Sequence, residues 1–402
     1  MSNTEWRLVK LGDVCQYTKD KISIKELNVE NYISTENMLP NKAGVVNASS
    51  LPEAGNAIRY RQGQTLVSNI RPYFKKIWYA NKNGGCSNDV LVFKANADID
   101  DKFLYYTLSQ DAFFEHMMAG SKGTKMPRGD KQQIMMYQLL IPSMTVQVSI
   151  AKIFSCLDDK IELNNRINKT LEEMAQAIFK QWFVDFDFPD ENGQPYKSSG
   201  GEMEESELGL IPKGWKVGCL GDITNNYDSK RIPLSKMERE KRLKIYPYYG
   251  AASLMDYVDD YLFDGIYVLM GEDGTVVDAK GYPQLQYVWG KFWVNNHAHV
   301  LQGSEQCSTE YIYLLLKNTN VSSIVTGAVQ PKINQGNLNS IKTIIPSNDI
   351  LVRFSKYITH FFSLYRNNCE QNINLSFARD SLLPKLMSGE IRVPVEEVPQ
   401  SV

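Results

Sequence analysis

The sequence predicts an α+β protein: two pseudo-repeated α/β domains separated by two long antiparallel coiled-coil helices. Three observations carry this expectation. Two motifs recur at a near-constant offset, each copy opens with a turn-rich stretch of short β runs, and each closes on a long apolar periodicity.

The repeat is the strongest signal. Trp6-Arg-Leu-Val-Lys-Leu-Gly-Asp-Val14 returns 209 positions later as Trp215-Lys-Val-Gly-Cys-Leu-Gly-Asp-Ile223. Gly123-Thr-Lys-Met-Pro-Arg128, leading to Ile141-Pro-Ser143, returns as Gly327-Ala-Val-Gln-Pro-Lys332, leading to Ile345-Pro-Ser347, with both ends offset by 204. Two anchors in the same order at nearly the same offset make the chain two copies of one module.

The head of each copy holds β-branched and aromatic runs such as Gln64-Thr-Leu-Val-Ser68, Asp89-Val-Leu-Val-Phe93 and Ile266-Tyr-Val-Leu-Met270, punctuated by glycine and asparagine. Ile-Pro-Ser then opens a helical pattern, as proline and serine do at helix starts. In the first helix Ile150, Ile153, Phe154, Leu157, Ile161, Ile167, Leu171, Met174 and Ile178 recur at three- and four-residue intervals, and Asn164 and Asn168 interrupt the seam. The second runs through Phe354, Ile358, Phe361, Tyr365, Asn368, Asn372 and Leu375. A stripe of this kind is usually core. Two of them, one per repeat and both with asparagines, point instead to helices of roughly 30 residues, about 45 Å each, packed on one another.

The expected order is a domain over 1–144, a helical region over 145–188, a solvated acidic linker over 189–210, a second domain over 211–346, a second helical region over 347–393 and a tail over 394–402.

Composition sets the class. With 402 residues, 43% hydrophobic and 22% charged, the chain reads as a soluble multidomain protein. No apolar run suits a membrane span and the first residues do not form a secretory signal, so a cytosolic location is expected. Cys15, Cys86, Cys156, Cys219, Cys307 and Cys369 are scattered without a C-x-x-C pair, which suits reduced thiols and speaks against structural zinc. His297 and His299 are the sole close histidine pair, with no cysteine beside them, so no metal is expected.

The net charge of −2 does not by itself suggest a nucleic-acid binder. It hides an asymmetry, because eight acids and one base, Lys197, fall between Asp185 and Glu207. Arg59, Arg61, Arg71, Lys75 and Lys76 occur in one stretch without an acid among them. They read either as a solvated face or as phosphate and guanine contacts. Lys122, Lys125 and Arg128, with Gln330, Lys332 and Asn334 at the equivalent place of the second copy, read either as DNA contacts or as a structural turn. Lys230 and Arg231 follow an aromatic-polar run and carry the same pair of readings. Tyr248 and Tyr249 suit core or phosphate contact. Glu272 and Asp273 suit a tight turn or an acceptor for a cytosine amino group.

Catalytic motifs are lacking. No G-x-x-x-x-G-K-[ST] loop is present, and Asn69-Ile-Arg-Pro-Tyr73 departs from the Asn-Pro-Pro-Tyr motif of amino-methyltransferases, with no glycine-rich cofactor loop ahead of it. A self-sufficient DNA methyltransferase or nuclease is the enzymatic alternative, and a coiled-coil adaptor with two protein-binding heads the structural one.

Several segments resemble the specificity subunits of type I restriction-modification systems. Ala177-Ile-Phe-Lys-Gln-Trp-Phe-Val-Asp-Phe186 and Ser381-Leu-Leu-Pro-Lys-Leu-Met-Ser-Gly-Glu-Ile-Arg-Val393 look like the ends of that family's two conserved helical regions. Pro212-Lys-Gly-Trp-Lys-Val217 resembles the start of its second target-recognition domain. Pro247-Tyr-Tyr-Gly-Ala251, Phe263-Asp-Gly-Ile-Tyr-Val268 and Gly271-Glu-Asp-Gly274 resemble pieces of such domains. The resemblance covers nearly the whole chain.

It implies a non-catalytic DNA-binding subunit. Two target-recognition domains would each read half of an asymmetric bipartite duplex, with the helices setting the unread spacer. Two methyltransferase subunits would dock on the helices, with Phe179, Trp182, Phe183, Leu383, Leu386 and Met387 at the matching helix ends as partner-binding residues. Restriction and translocase subunits would join them. S-adenosylmethionine, ATP and magnesium would be bound by those partners, leaving this chain without a cofactor.

Overall fold

The computed structural model describes residues 6–123, 125–327 and 329–394. Within the two hairpin motifs Thr124 and Ala328 therefore lie outside the described residues, as do 1–5 of the first domain and 395–402 of the tail. The chain forms two compact units, Met1–Leu163 with Gln371–Val402, and Asn164–Glu370. No helix of the described residues is long and apolar enough to cross a membrane.

The repeated Leu-Gly-Asp motif has the same local structure in both units. Leu11–Val14 and Leu220–Ile223 are single helical turns, and the aspartate of each accepts the backbone N–H that opens the turn: Asp13 from Lys10 at 3.0 Å, Asp222 from Cys219 at 2.7 Å. The strand before each turn pairs antiparallel with the strand that leads to Ile-Pro-Ser, Arg7–Lys10 with Gln138–Ile141 and Lys216–Cys219 with Lys342–Ile345. The two anchors of the sequence repeat are thus partners in one small ladder that closes each copy.

In the first unit, a four-stranded antiparallel sheet runs in the order Cys15–Tyr17, Val90–Ala95, Thr65–Ser68, Ile77–Tyr79. All four residues of Thr65–Ser68 are buried, as suits a central strand covered on both faces. A second sheet orders Lys21–Ser23, Asn56–Tyr60, Gly84–Cys86 and Tyr32–Ile33. The helix Asp101–Leu108 is capped by Asp100, which accepts from Phe103 N, and it lays Phe103 and Leu104 into the core. In the second unit one six-stranded sheet runs Thr224–Asn226, Ala298–Gly303, Phe263–Gly271, Leu285–Val294, Tyr246–Tyr249, Leu254–Val258. Ser308 caps the corresponding helix, Thr309–Lys317.

The long helices span Met144–Phe179, ending in a π-helical turn Lys180–Val184, and Asn348–Met387. At 36 and 40 residues they exceed the expected length, about 54 and 60 Å at 1.5 Å per residue. Within each unit their segments run antiparallel. In the first, Asp158 pairs with Arg379 at 2.8 Å, while Ile150 and Phe154 share a core with Leu383, Leu386 and Met387. In the second, Asn168 meets Tyr365, Asn368 and Cys369, and Phe179 meets Phe354.

Two expectations need correction. The buried seam of the first helix contains Asn164, Asn168, Ala175 and Phe179, whereas Ile153, Ile167 and Met174 are exposed. The asparagines sit in the seam as expected, and the facing helix supplies polar partners for Asn168: its amide donates to Tyr365 O at 3.3 Å and accepts from Asn368 at 2.9 Å. The acidic stretch is solvent-facing, as expected, but it is ordered and not a plain linker. Met203–Ser206 and Gly209–Pro212 form a hairpin, and Phe188 stacks between Tyr196 and Trp215, at 4.6 and 5.1 Å.

Candidate nucleic-acid interface

The repeated glycine motifs fold into equivalent hairpins. Lys122 and Arg128 exchange both backbone hydrogen bonds, at 2.9 and 3.0 Å, and Thr326 and Lys332 do so at 2.8 and 2.7 Å. Gly123 and Gly327 take left-handed φ values of 95° and 86° beside them. Each hairpin is pinned to the turn that follows a central strand. Ile70 bridges Arg128 and Asp273 bridges Lys332, while Gly129 N donates to Asn69 O and Ile333 N to Glu272 O. Arg128 and Lys332 therefore hold the same place in the two units, each with a single nearby acid: Asp89 at 3.2 Å and Glu272 at 3.3 Å.

In the first unit this geometry unites basic residues far apart in sequence. The turn carrying Arg71, Lys75 and Lys76 lies against the hairpin of Lys122, Lys125 and Arg128, with Arg71 N donating to Pro127 O at 2.8 Å. Several cations are held internally. Lys75 and Lys42 both pair with Asp111, at 2.8 and 2.9 Å. The hydrogen bond from Lys75 is the main cause that keeps that carboxyl below its ordinary range, with Lys42 adding to it against partial burial. Lys76 donates to Thr35 O at 2.6 Å, and burial followed by the charge of Arg71 lowers its pKa. Lys122 pairs with Asp130 at 3.0 Å, and Lys125 is exposed. Tyr73 and Phe74 project beside them, 47% and 38% exposed.

Arg59 and Arg61 lie apart from this group. They line a cleft of about 210 Å³ with Asn31, Tyr60 and Asn83, and Arg61 also borders a polar cleft of about 490 Å³ with Tyr17, Lys19 and Lys94.

The second unit keeps fewer of its expected contacts at the surface. Gln330 is exposed on the hairpin, and Lys230 is exposed with its ammonium over the Tyr227 ring at 5.1 Å. Asn334 accepts from Asn337 N and caps the helix Gln335–Asn339. Arg231 is a correction: it is enclosed by Glu272 at 2.6 Å, Ala298 O at 2.7 Å and Asp228, so its charge is consumed inside the unit. Tyr248 is another, fully buried with its hydroxyl accepting from Leu234 N at 3.0 Å. Tyr249 is half-buried against Phe292, and burial raises its phenol pKa.

His299 does not join His297 in a site. It is buried, with Nδ1 2.6 Å from Asp228 and Nε2 2.8 Å from Ile333 O, and so ties the hairpin to the sheet. The donor atoms of Asp228, Glu272 and His299 lie within 4.8 Å of one another, but Arg231 and Lys332 already neutralise the carboxylates. The five side chains form one ion network. Sequence reasoning missed the roles of His299, Asp228 and Asp111 because the contacts of His299 with Asp228 and Ile333, and of Asp111 with Lys42 and Lys75, join residues far apart in sequence.

The expected partner-binding residues also need correction. Phe179, Trp182 and Phe183 pack with Phe354 and Tyr311 in the core of the second unit, and Leu383, Leu386 and Met387 lie in the core of the first. Their apolar surface is spent on folding. Ile373 and Phe377, 68% and 74% exposed, are among the large apolar side chains the second helix turns outward, with Val352, Tyr357 and Leu364.

Two copies of one module, each presenting a hairpin with a cation at the equivalent place on a β-rich frame, define a duplicated two-module class. The family model for the type I restriction modification DNA specificity domain matches residues 3–173 and 212–375, and the chain belongs to this family. It is 25% identical over 471 residues to the HindI specificity subunit of Haemophilus influenzae, covering 96% of this chain and 100% of that one. It is 27% identical over 306 residues to the MjaIX specificity subunit of Methanocaldococcus jannaschii, covering 73% of this chain and 69% of that one. The crystal structure of a type I restriction-modification S subunit from M. genitalium shares the fold, with a TM-score of 0.58 at 17% identity, covering 96% of this chain and 97% of that one.

Proposed function

We propose that each unit reads one half of an asymmetric bipartite duplex target, and that the paired helices set the spacer and carry two methyltransferase subunits. The observation that carries this reading is the duplicated hairpin, with Arg128 and Lys332 in equivalent places on two otherwise different frames. Two modules that differ in their surrounding side chains read two different half-sites, and linking them makes the second contact intramolecular.

The chain does no chemistry in this scheme. S-adenosylmethionine, ATP and magnesium belong to the methyltransferase and restriction subunits, and the complex works in the cytoplasm. The docking surface is assigned to the outward apolar residues of the helices, among them Ile167, Met174, Ile373 and Phe377.

The deciding experiment maps N6-methyladenine across the source genome with and without this gene. Loss of one asymmetric two-part motif is the expected result. An unchanged pattern, with the methyltransferase partner intact, overturns the reading in favour of a coiled-coil adaptor. On purified complex, Arg128→Ala and Lys332→Ala should each weaken binding and reduce the slope of log affinity against log salt by about 1 if the residue contacts phosphate.

A further inference from the structure

The two units differ at one backbone position in a way that singles out an arginine. Arg71 N donates to Pro127 O at 2.8 Å, and Gly274 N donates to Pro331 O at 3.0 Å. With the bridges Ile70–Arg128 and Asp273–Lys332 alongside, Arg71 and Gly274 occupy the same place. Both are left-handed, with φ of 49° and 82°. Glycine adopts that conformation freely, whereas a side chain brings Cβ against its own backbone. Crowding is not why the second unit has glycine, since a Cβ there would meet nothing within 4 Å. The first unit thus keeps an arginine where its backbone favours none.

Its surroundings are built around that strain. Asn41, Lys42 and Lys75 are left-handed too, and Asn41 N and Lys42 N donate to the carbonyls of Phe74 and Lys75 at 2.8 and 2.9 Å. The neighbouring lysines are committed to Asp111 and to Thr35 O. Among the described residues the Arg71 guanidinium has no ion pair, and its Nε is buried without a hydrogen-bond partner. Strained residues persist where function holds them.

We propose that Arg71 is the residue with which the first unit reads a guanine of its half-site. This rests on the reading of the chain as a bipartite DNA reader. A phosphate contact asks only for a positive charge and sets no fork geometry. A planar guanidinium fork not spent on an internal ion pair suits the paired O6 and N7 acceptors of guanine. The second unit, with Gly274 in that place, reads its half-site through other side chains.

The test compares Arg71→Gly and Arg71→Lys with the wild-type chain, each with its methyltransferase partner. In the methylation map, both variants should lose the requirement for one guanine in one half-site and leave the other half-site unchanged. On duplex carrying the mapped motif, replacing that guanine by 7-deazaguanine should weaken wild-type binding about tenfold and leave Arg71→Gly indifferent. Arg71→Gly should melt no lower than wild type, because glycine relieves the turn. An unchanged motif, uniform weakening across all sequences, sensitivity of Arg71→Gly to 7-deazaguanine, or a large drop in its melting temperature each overturns the proposal. If the wild-type complex itself methylates no bipartite motif, the broader reading fails. If it does and the variants match it, only the role of Arg71 falls.

Discussion

Trp182 separates two accounts of the helix ends. It is 5% exposed, with ring centroids 5.6 Å from Phe354, 6.1 Å from Tyr357 and 6.3 Å from Phe183. Trp182→Ala removes a bicyclic side chain from this cluster, and such truncations cost about 3–5 kcal/mol. Tyr357 is itself largely exposed, so part of the space can collapse and the lower figure, about 3 kcal/mol, applies. In a unit of roughly 200 residues this lowers the melting temperature by about 6–12 °C. Calorimetry on the isolated chain measures it, with Phe377→Ala as the control. That variant should melt within about 0.5 kcal/mol of wild type, yet bind the methyltransferase subunit less tightly. The reasoning is refuted if Trp182→Ala leaves the isolated chain's melting unchanged while abolishing methyltransferase binding, for then the indole faces a partner and not the core.

Asn168 and Asn368 should be coupled. Asn168→Leu leaves the Asn368 amide without its acceptor and should cost about 1–3 kcal/mol, whereas the double variant Asn168→Leu with Asn368→Leu should recover most of the loss, so simple additivity in a melting cycle would count against the pair. Acid should weaken the second unit through Asp228. Burial pushes that carboxyl up, but the hydrogen bond and charge of His299, with Val300 N and Arg231, hold it below its ordinary value. A carboxyl depressed in the folded state lends stability above its unfolded pKa near ~3.9 and loses it as pH falls through the folded value. Asp228→Asn should therefore be less stable at pH 7 and show a shallower acid limb in urea titrations. An acid limb parallel to that of wild type would remove Asp228 from the account.

The duplicated frame was legible because its anchor motifs recur in order, even though the strands they lead to pair far apart along the chain. Each Leu-Gly-Asp turn caps itself, and each Ile-Pro strand lies beside the turn's own strand. The buried face of the first helix was less legible. Apolar periodicity placed Ile153, Ile167 and Met174 inward, but the facing helix satisfies Asn168 with Tyr365 O and Asn368, information no local window holds. The acidic stretch read as solvated because charge outnumbers apolar residues there, and it is exposed, but its order was not legible. Phe188, Tyr196 and Trp215, spread over 28 positions, supply its order. For the site, residue type located the basic turn and both hairpins. It did not show that Arg231 is enclosed by Glu272 and Ala298, nor that Tyr248 reaches Leu234. The left-handed backbone at Arg71 had no signal in residue type at all, since arginine is the unfavourable choice there.

The interleaving of the two units sets an order on their completion during synthesis. The second unit is one continuous stretch, Asn164–Glu370, and is whole once its last residue has left the ribosome. The first waits for Leu383, Leu386 and Met387, which close its core over Ile150 and Phe154, and for Gly389, where a Cβ would lie 2.7 Å from the Trp6 ring. At about 5–20 residues per second the intervening stretch takes roughly 10–40 s to make. Throughout that interval the nascent first unit carries an uncovered apolar face. The portion begun first is finished last, and a chaperone or a pause that shields residues 150–154 would act in that window.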